Sequence, residues 1–302
     1  MDPIVEQLQT ALRSDVAKSR YLSSYPLDSL ALPSIRLMTE SVAQIELGLG
    51  ESRIGGLPDV PPKFVWPRWK PRLPRQDRYN AIWDPEDPQP LSFIAQIDLD
   101  SLPSIDNALP SRGFLYFFYD GFCEPWGFEP NDRGSCRVMY FDIDREDLSR
   151  AKYPADLPEE FRYSPTRVST SIELTLPNYA DDIPEKPPAS EKYQDLRESL
   201  AAEPRDVQHR LLGHPQVIQS PMEISVQEAT SGYQQKELAT YDDEIVGEVL
   251  KGAVDWRLLL QIDSDDNPGW MWGDSGRLYF WIRQQDLATK NYASAWLILQ
   301  SS

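Results

Sequence analysis

One sequence pattern occurs twice in this chain, and the duplication limits the possible folds more than any other feature. The first copy spans Leu91–Phe141 and the second spans Trp256–Gln300. Each copy has an apolar stretch ending in Gln-Ile-Asp, an acidic turn, a glycine, an aromatic stretch and one further apolar stretch. The Gln-Ile-Asp segments start at Gln96 and Gln261, which are 165 residues apart. Two copies are too few for a solenoid, so we interpret them as an ancient duplication packed into one domain.

The repeat predicts an α+β fold dominated by antiparallel β-sheet, with an internally duplicated strand–turn–hairpin unit and peripheral helices. Alternation of apolar and polar residues predicts further strands within 34–47 and 169–176, and a strand at 222–227. Helical spacing predicts helices at 4–20, about 190–203 and 237–250, the first with Asp2 and Pro3 as cap and first turn.

The same features predict how the chain is divided. Residues 1–33 are expected to form an N-terminal helix and its connection. Residues 34–302 are expected to form a single domain of two related halves, about 34–180 and 190–302. The stretch at 181–188 is rich in proline and acidic residues, as an exposed linker between the halves would be.

Charge and cysteine usage limit the possible environments and partners. The chain has 48 acidic and 30 basic residues, a formal net charge of -18, which disfavours unaided binding to nucleic acid or to an anionic membrane. A net negative charge of this size attracts basic partners, although the solubility of the protein alone also explains it. Cys123 and Cys136 are too few for a disulfide framework, and no signal peptide or membrane span is visible. We expect a cytoplasmic monomer or weak dimer that needs no cofactor.

A basic segment at 63–79 contrasts with this acidic background. Its lysines and arginines alternate with aromatic residues, a combination that can bind single-stranded nucleic acid by phosphate attraction and base stacking. The alternative is a proline-rich loop whose arginines pair with carboxylates of the protein body, and the negative field of the whole chain favours it.

The acidic turn of the second copy allows three interpretations. Asp263, Asp265, Asn267 and Asp274 have the alternating oxygen ligands of a calcium loop, but the glycine is one place late and the flanking segments are not helical. The sequence Gly273–Gly276 is similar to the nucleophile motif of serine proteases, yet that chemistry needs an oriented histidine base. The third interpretation is an acidic turn that closes a β-hairpin.

Several motifs in the same order resemble the YwqG-like family, a bacterial domain of unknown function with a mixed α+β fold. The resemblance covers roughly residues 34–302, and its motifs are Gly55–Pro58, Phe64–Pro67, Pro90–Leu99, Gly113–Phe118, His209–Gly213 and Trp272–Trp281. It implies a fold more firmly than an activity, and for part of the family it implies an immunity role against toxins. The segment at about 68–88 and the helix at 1–20 depart from the family pattern.

The leading hypothesis is a non-enzymatic acidic protein that neutralises a basic toxin by direct binding. Its expected contact residues are the acidic turn and two tryptophans taken to be exposed: Asp263, Asp265, Asp266, Asp274, Trp270 and Trp272. The alternative is an enzyme or small-ligand-binding protein that uses a cleft between the halves. In that case four residues are expected to converge in one pocket: His209, Arg210, Asp274 and Arg277.

Overall fold

The fold is built on one ten-stranded antiparallel sheet, as seen in a computed structural model of the chain. The structure describes residues 2–72, 74–76, 82–83, 85–105, 108–178, 191–200, 207–232 and 242–302. This architecture confirms the predicted α+β fold dominated by antiparallel sheet. The predicted linker at 181–188 lies outside the described residues, and the division into domains stays a prediction.

Ten of the strands in the described ranges build the sheet, and six short ones form three two-stranded ribbons. The strands are β1 Leu32–Ser41, β2 Arg53–Ile54, β3 Asp59–Val60, β4 Arg68–Trp69, β5 Arg75–Gln76, β6 Ile82–Trp83, β7 Gln89–Pro90, β8 Ser92–Asp98, β9 Phe114–Tyr119, β10 Cys136–Phe141, β11 Ser149–Arg150, β12 Thr166–Thr175, β13 His209–Leu211, β14 Trp256–Asp263, β15 Arg277–Arg283 and β16 Trp296–Gln300. The helices in the described ranges are α1 Pro3–Ala17, α2 Leu27–Leu30, α3 Glu191–Leu200, α4 Glu223–Ser231, α5 Asp243–Ala253 and α6 Gln284–Ala288.

The order of the strands is symmetric about the middle of the sheet. It runs β10-β9-β8-β2-β12-β1-β13-β14-β15-β16. Equivalent strands of the two copies therefore have the same position when counted from opposite edges of the sheet. At the centre, β1 pairs with β12 over ten residues, with Met38 opposite Ser169 near the middle. The first and second sequence copies are therefore related by an approximate two-fold axis through this central ladder.

The two copies bury one face of the sheet against each other. Successive side chains of a strand point to opposite faces, so Phe117 on β9 and Phe280 on β15 point inwards, where their rings meet edge to face at 5.2 Å. The opposite faces are covered differently. In the first half, Phe64 and Trp66 from the 61–67 segment pack on Tyr116 and its neighbours. In the second half, helix α4 covers the outer face.

The N-terminal helix docks on the sheet as the sequence predicts. Asp2 caps α1 by accepting a hydrogen bond from the Ile4 N–H at 2.9 Å, and Val5 and Leu12 of the apolar stripe are buried. Leu12 packs with α3 and with Leu174 at the end of β12. Helix α3 is therefore held beside the centre of the sheet, where it also forms one wall of the cavity described below.

One secondary-structure prediction is wrong. The segment 222–227, predicted as a strand, belongs to helix α4. Its apolar residues Met222, Val226 and Ala229 are spaced by four and three positions, and all three are buried against the outer face of β14 and β16. This is helical spacing, although Met222, Ile224 and Val226 also alternate as they would in a strand.

Candidate functional site

A second duplicated segment lies next to the centre of the sheet. Residues 53–59 read Arg-Ile-Gly-Gly-Leu-Pro-Asp, and residues 210–216 read Arg-Leu-Leu-Gly-His-Pro-Gln. Each begins in a short strand, β2 or β13, and leaves it through two consecutive residues of positive φ. These are Gly55 and Gly56 at 67° and 68° in one half, and Leu212 and Gly213 at 60° and 73° in the other.

The glutamine of each Gln-Ile-Asp motif holds this segment in place. The Gln96 side chain accepts a hydrogen bond from the Asp59 N–H at 2.6 Å and donates one to the Glu51 carbonyl. In the same way, Gln261 accepts from the Gln216 N–H at 2.8 Å and donates to a backbone carbonyl. Both glutamines are fully buried, and their bonds satisfy backbone groups that no strand pairs with. The glutamine of the repeat is therefore a structural clamp.

In the first half the segment ends in a closed ion-pair cluster. The carboxylate of Asp59 is fully buried and bonds the Arg53 guanidinium at 2.5 Å, and it also pairs with Arg150. Arg150 donates further hydrogen bonds to the carbonyls of Gln44 and Leu47. Burial lowers the pKa of Arg53 to about 10, although the charge of Asp59 opposes that shift. Strand β11 pairs with β3 and covers Asp59 and Arg53 completely, while the Arg150 side chain remains 27% exposed.

In the second half the equivalent cluster is differently paired. Gln216 takes the place of Asp59, so Arg210 lacks the equivalent carboxylate and lies 3.2 Å from Glu173 on β12 instead. Burial lowers the pKa of Arg210, with the charge of Glu173 opposing. Arg277 lies 2.9 Å from Asp263 and donates to the Gln216 carbonyl at 3.0 Å. Because no strand in the described ranges pairs with Gln216, this cluster stays open on one side.

The open side is a cavity of about 660 Å³, a size typical of small-molecule sites. It lies where the two sequence halves meet. The lining includes Glu173 and Asn178 of the first half, and Arg197, Arg210, Gln216 and Arg277 of the second. Three arginines and two glutamates, the second being Glu198, give this lining a positive balance in a chain of net charge -18. The cavity is thus an electrostatic exception in an acidic protein.

Five buried side-chain atoms of the lining have no hydrogen bond within the described part of the chain: both oxygens of Glu173, Nε of Arg210, Nε of Arg277 and Oε1 of Gln216. Glu173, Arg210 and Arg277 belong to ion pairs, whereas Gln216 is neutral. A buried acceptor without a donor costs about 1–3 kcal/mol, and a ligand with a hydrogen-bond donor would remove that cost. The cavity therefore combines arginine side chains with a neutral hydrogen-bond acceptor.

The four residues expected to converge in one pocket do so only in part. Arg210 and Arg277 line the cavity, whereas Asp274 is exposed on the β14–β15 turn. His209 neighbours Arg210 in β13 and therefore points to the opposite face. Its Nδ1 accepts from the Asp263 N–H at 2.9 Å and its Nε2 lies 3.1 Å from Asp265. Ser52, one place before Arg53, accepts from the Asp98 N–H in the same manner, so His209 has a structural role.

The expectation that Trp270 and Trp272 are exposed is wrong. Trp272 is fully buried and Trp270 is 5% exposed, because both rings pack against Tyr163 at 4.9–5.7 Å. Asp263 and Asp265 are also buried, at 7% and 5% exposed. Of the six residues predicted to contact a partner, only Asp266 and Asp274 are exposed.

The oxygen ligands of the suggested calcium loop are engaged in other contacts. Asp263 pairs with Arg277, and Asp265 accepts from Thr39 at 2.7 Å and faces His209. Asn267 donates to Thr39, and Asp274 lies apart on the exposed turn. Within the described residues, no three His, Cys, Asp or Glu side chains are grouped closely enough to hold a metal ion. The turn is a hairpin closure tied to the end of β1.

The basic segment pairs with carboxylates of the protein body, in agreement with the second of its two interpretations. Arg68 makes two hydrogen bonds to Asp156 at 2.7 and 2.8 Å, and Arg75 pairs with Asp132. Arg75 also lies over the Trp69 ring at 5.3 Å. Arg78 and Tyr79, which belong to the same prediction, lie outside the described residues.

The chain belongs to a family described as "Domain of unknown function (DUF1963)", which it matches over residues 52–301. The matched range includes both copies of the repeat and both arginine segments. No curated protein matches the chain. Among the described residues, no helix has the length and apolar character needed to span a membrane.

Proposed function

We propose that this protein is a binding protein for a small anionic molecule, and that the ligand occupies the cavity beside Arg210 and Arg277. The observation that carries this proposal is the asymmetry of the duplicated arginine clusters. One cluster is sealed around a carboxylate, and the other has a neutral glutamine at that place and opens into about 660 Å³ of space. We propose binding, and no catalytic reaction, at this site.

The lining defines the chemistry of the ligand. Arg210 is buried and makes its polar contacts within the protein, so it attracts an anionic ligand through its charge without contacting it. Arg277 and Arg197 are half-buried, and each can turn a guanidinium N–H towards a carboxylate or a phosphate. The buried Oε1 of Gln216 selects a ligand that also carries a hydroxyl or amino group. The ligand class is therefore a small carboxylate or phosphate ester with a hydrogen-bond donor.

A thermal-shift screen followed by calorimetry tests the proposal. The wild-type protein is screened against small carboxylates, phosphate esters and neutral analogues at constant ionic strength. The test variant is Arg197→Gln, on α3 at the wall of the cavity. Its matched control is Arg167→Gln, which removes the same charge from an exposed pair with Glu40. The expected loss of affinity is about tenfold or more for Arg197→Gln and about twofold or less for the control.

Two results would overturn the proposal. One is that no anion stabilises the wild-type protein more than its neutral analogue does. The other is that Arg197→Gln and Arg167→Gln weaken binding equally, since ligand binding would then follow the overall charge and not the cavity.

A second candidate function follows from the charge of the whole chain. We propose that the chain falls in the YwqG-like part of its family and acts as an immunity-type protein that binds a basic toxin. The net charge of -18 favours fast association with a basic protein. After the burial of the tryptophans, Asp266 and Asp274 are the predicted contact residues that a partner can reach.

A pull-down from the native host, washed at low and then at high salt, tests this second candidate. A stoichiometric basic protein that is released by salt supports it. The double variant Asp266→Asn and Asp274→Asn is then expected to slow association by about threefold to tenfold at low salt, with less effect at high salt. An unchanged association rate removes these two residues from the interface, and the absence of any partner at either salt contradicts the function.

A further inference from the structure

A second and smaller pocket lies in the first half, at the end of the repeat unit where β9 leaves the sheet. Its volume is about 150 Å³. The walls are apolar or aromatic and include Pro90, Phe122, Leu157 and Phe161, with Phe122 and Phe161 in an edge-to-face contact at 5.4 Å. Asp120 also lines this pocket and is only 5% exposed. A buried carboxyl group in an apolar pocket calls for a compensating contact.

The two carboxyl oxygens of Asp120 differ in their contacts. Oδ1 accepts hydrogen bonds from the N–H groups of Phe122 and Cys123 at 3.0 and 3.3 Å. Oδ2 is buried and has no hydrogen-bond partner in the residues that the structure describes. Burial raises the pKa of Asp120 to about 6, and the two N–H groups oppose that rise. Oδ1 therefore stabilises the turn, and Oδ2 is left for a donor from outside.

The repeat unit itself does not require a carboxyl group here. The equivalent position of the second copy is Arg283, since Tyr116 and Tyr279 are equivalent and both residues lie four places further on. Arg283 lies over the Trp256 ring at 4.5 Å and donates to Gln227. The same backbone position thus holds a cation packed on an aromatic ring in one half, and a buried carboxyl group beside aromatic rings in the other.

Three cations near the pocket already have partners. At its rim, Arg68 makes two hydrogen bonds to Asp156. Arg75, whose charge opposes the rise in the pKa of Asp120, forms its ion pair with Asp132. Arg162 donates to the Leu157 carbonyl and lies over the Tyr153 ring at 5.3 Å. The other titratable groups on this side include Glu124, Cys123, Tyr119 and Tyr163. A positively charged ligand would therefore neutralise a carboxyl group that has no ion pair among the described residues.

We propose that this pocket binds a primary alkylammonium group, with the ammonium at Asp120 Oδ2 and the alkyl chain between Phe122, Leu157 and Phe161. A water molecule occupies about 30 Å³ of liquid, so the pocket holds about five non-hydrogen atoms, the size of n-butylammonium or the end of a lysine side chain. The proposal is independent of the anion cavity, which shares no lining residue with this pocket.

Ligand-observed NMR titrations test the proposal with n-butylammonium as probe and n-butanol as its neutral control. The test variant is Asp120→Asn, which keeps an oxygen for the Oδ1 contacts and removes the charge. The control variant is Asp28→Asn, which removes the same charge from an exposed pair with Arg13 outside the pocket. We expect affinity for n-butylammonium to fall about tenfold or more in Asp120→Asn and by about twofold or less in Asp28→Asn. Circular dichroism confirms that both variants are folded.

Further measurements identify the source of the ammonium group and check its chemistry. Competition by N-acetyl-lysine amide indicates a lysine side chain of a partner protein, and its absence indicates a free amine; both support the site. Wild-type affinity is expected to fall as the pH drops below about 6, because Asp120 becomes protonated. Equal binding of n-butanol, or binding that Asp120→Asn leaves unchanged, overturns the proposal, as does the absence of n-butylammonium binding.

Discussion

The two halves of this protein use the same backbone arrangement to different ends. In the first half, Arg53 and Arg150 enclose the carboxylate of Asp59, and both Asp59 and Arg53 are fully buried. In the second half, Arg210 and Arg277 face Glu173 and Asp263, and the space beside them is open. The clamp formed by Gln96 or Gln261 is the same in both. The difference is therefore in the charged side chains and their covering elements, and the backbone that carries them is retained.

This comparison separates structural from functional burial of charge. A closed ion pair contributes little net stability, yet removing one partner is costly because the other charge remains buried. In an open cluster, water or a ligand can reach a charge that has lost its partner and stabilise it. We therefore expect the first half to be sensitive to the loss of its carboxylate and the second half to be sensitive to what enters its cavity.

The largest effect is expected from Asp59→Asn. The substitution leaves Arg53 buried without its counter-charge and lowers the free energy of unfolding by about 3–5 kcal/mol. Urea denaturation measures it. The equivalent change in the open half, Gln216→Asn, is expected to cost about 1 kcal/mol or less, because it removes no charge. Equal losses at the two positions would falsify the distinction between a closed and an open cluster.

The next effect depends on pH and concerns Asp120, whose counterpart is Arg283. Burial raises its pKa in the folded state to about 6, above the ordinary value of 3.8 for an aspartate. The folded state therefore binds the proton more tightly, and this stabilisation is complete below about pH 4 and is lost as the pH rises through 6. Over this pH range the contribution of Asp120 to the free energy of unfolding changes by about 2–3 kcal/mol. Unfolding curves of wild type and Asp120→Asn between pH 4 and 7 measure it as a pH-dependent difference; a constant difference contradicts the prediction.

A smaller and equal effect is expected at the two clamps. Gln96→Leu and Gln261→Leu each remove one acceptor and one donor from buried backbone groups, at a cost of about 2 kcal/mol. Chemical denaturation of both variants checks the equality. A difference of more than about 1 kcal/mol between them would show that the halves are not equivalent at this level.

The smallest effect on stability is expected from Gln216→Asp, which gives the second half the carboxylate of the first. The free energy of unfolding should change by about 1 kcal/mol or less, because the charge of Arg210 offsets the cost of burying the new carboxylate. Affinity for an anionic ligand, measured by calorimetry, should fall about tenfold, since the carboxylate competes for the arginines. Unchanged affinity would separate the ligand site from the arginine cluster.

The sequence was informative where a repeat or a period was long enough to read. The two Gln-Ile-Asp copies predicted the duplicated hairpins, and the spacing of Val5 and Leu12 predicted the docking face of α1. The equivalence of the two arginine segments was missed, although both have the pattern Arg, apolar residue, any residue, Gly, any residue, Pro. They are 157 residues apart, whereas the Gln-Ile-Asp copies are 165 apart, so a change in loop length hides their common origin.

Other errors have a different physical cause. Trp270 and Trp272 follow an acidic turn and precede a glycine, and such local surroundings indicate exposure. Their burial depends on Tyr163, more than a hundred residues earlier in the chain. The same holds for the cavity, which is formed by α3, β12, β13 and β15 together. No local pattern encodes a wall that is assembled from four distant segments.

The pairing of β1 with β12 through the centre of the sheet has an evolutionary consequence. Two identical units related by a two-fold axis, each joined to the other along one strand, have the geometry of an isologous homodimer. In a homodimer every mutation is present twice, so both copies of a site change together. Once the two units are encoded in a single chain, Asp59 and Gln216 can mutate separately. One site can then be kept for stability while its twin is free to acquire a ligand.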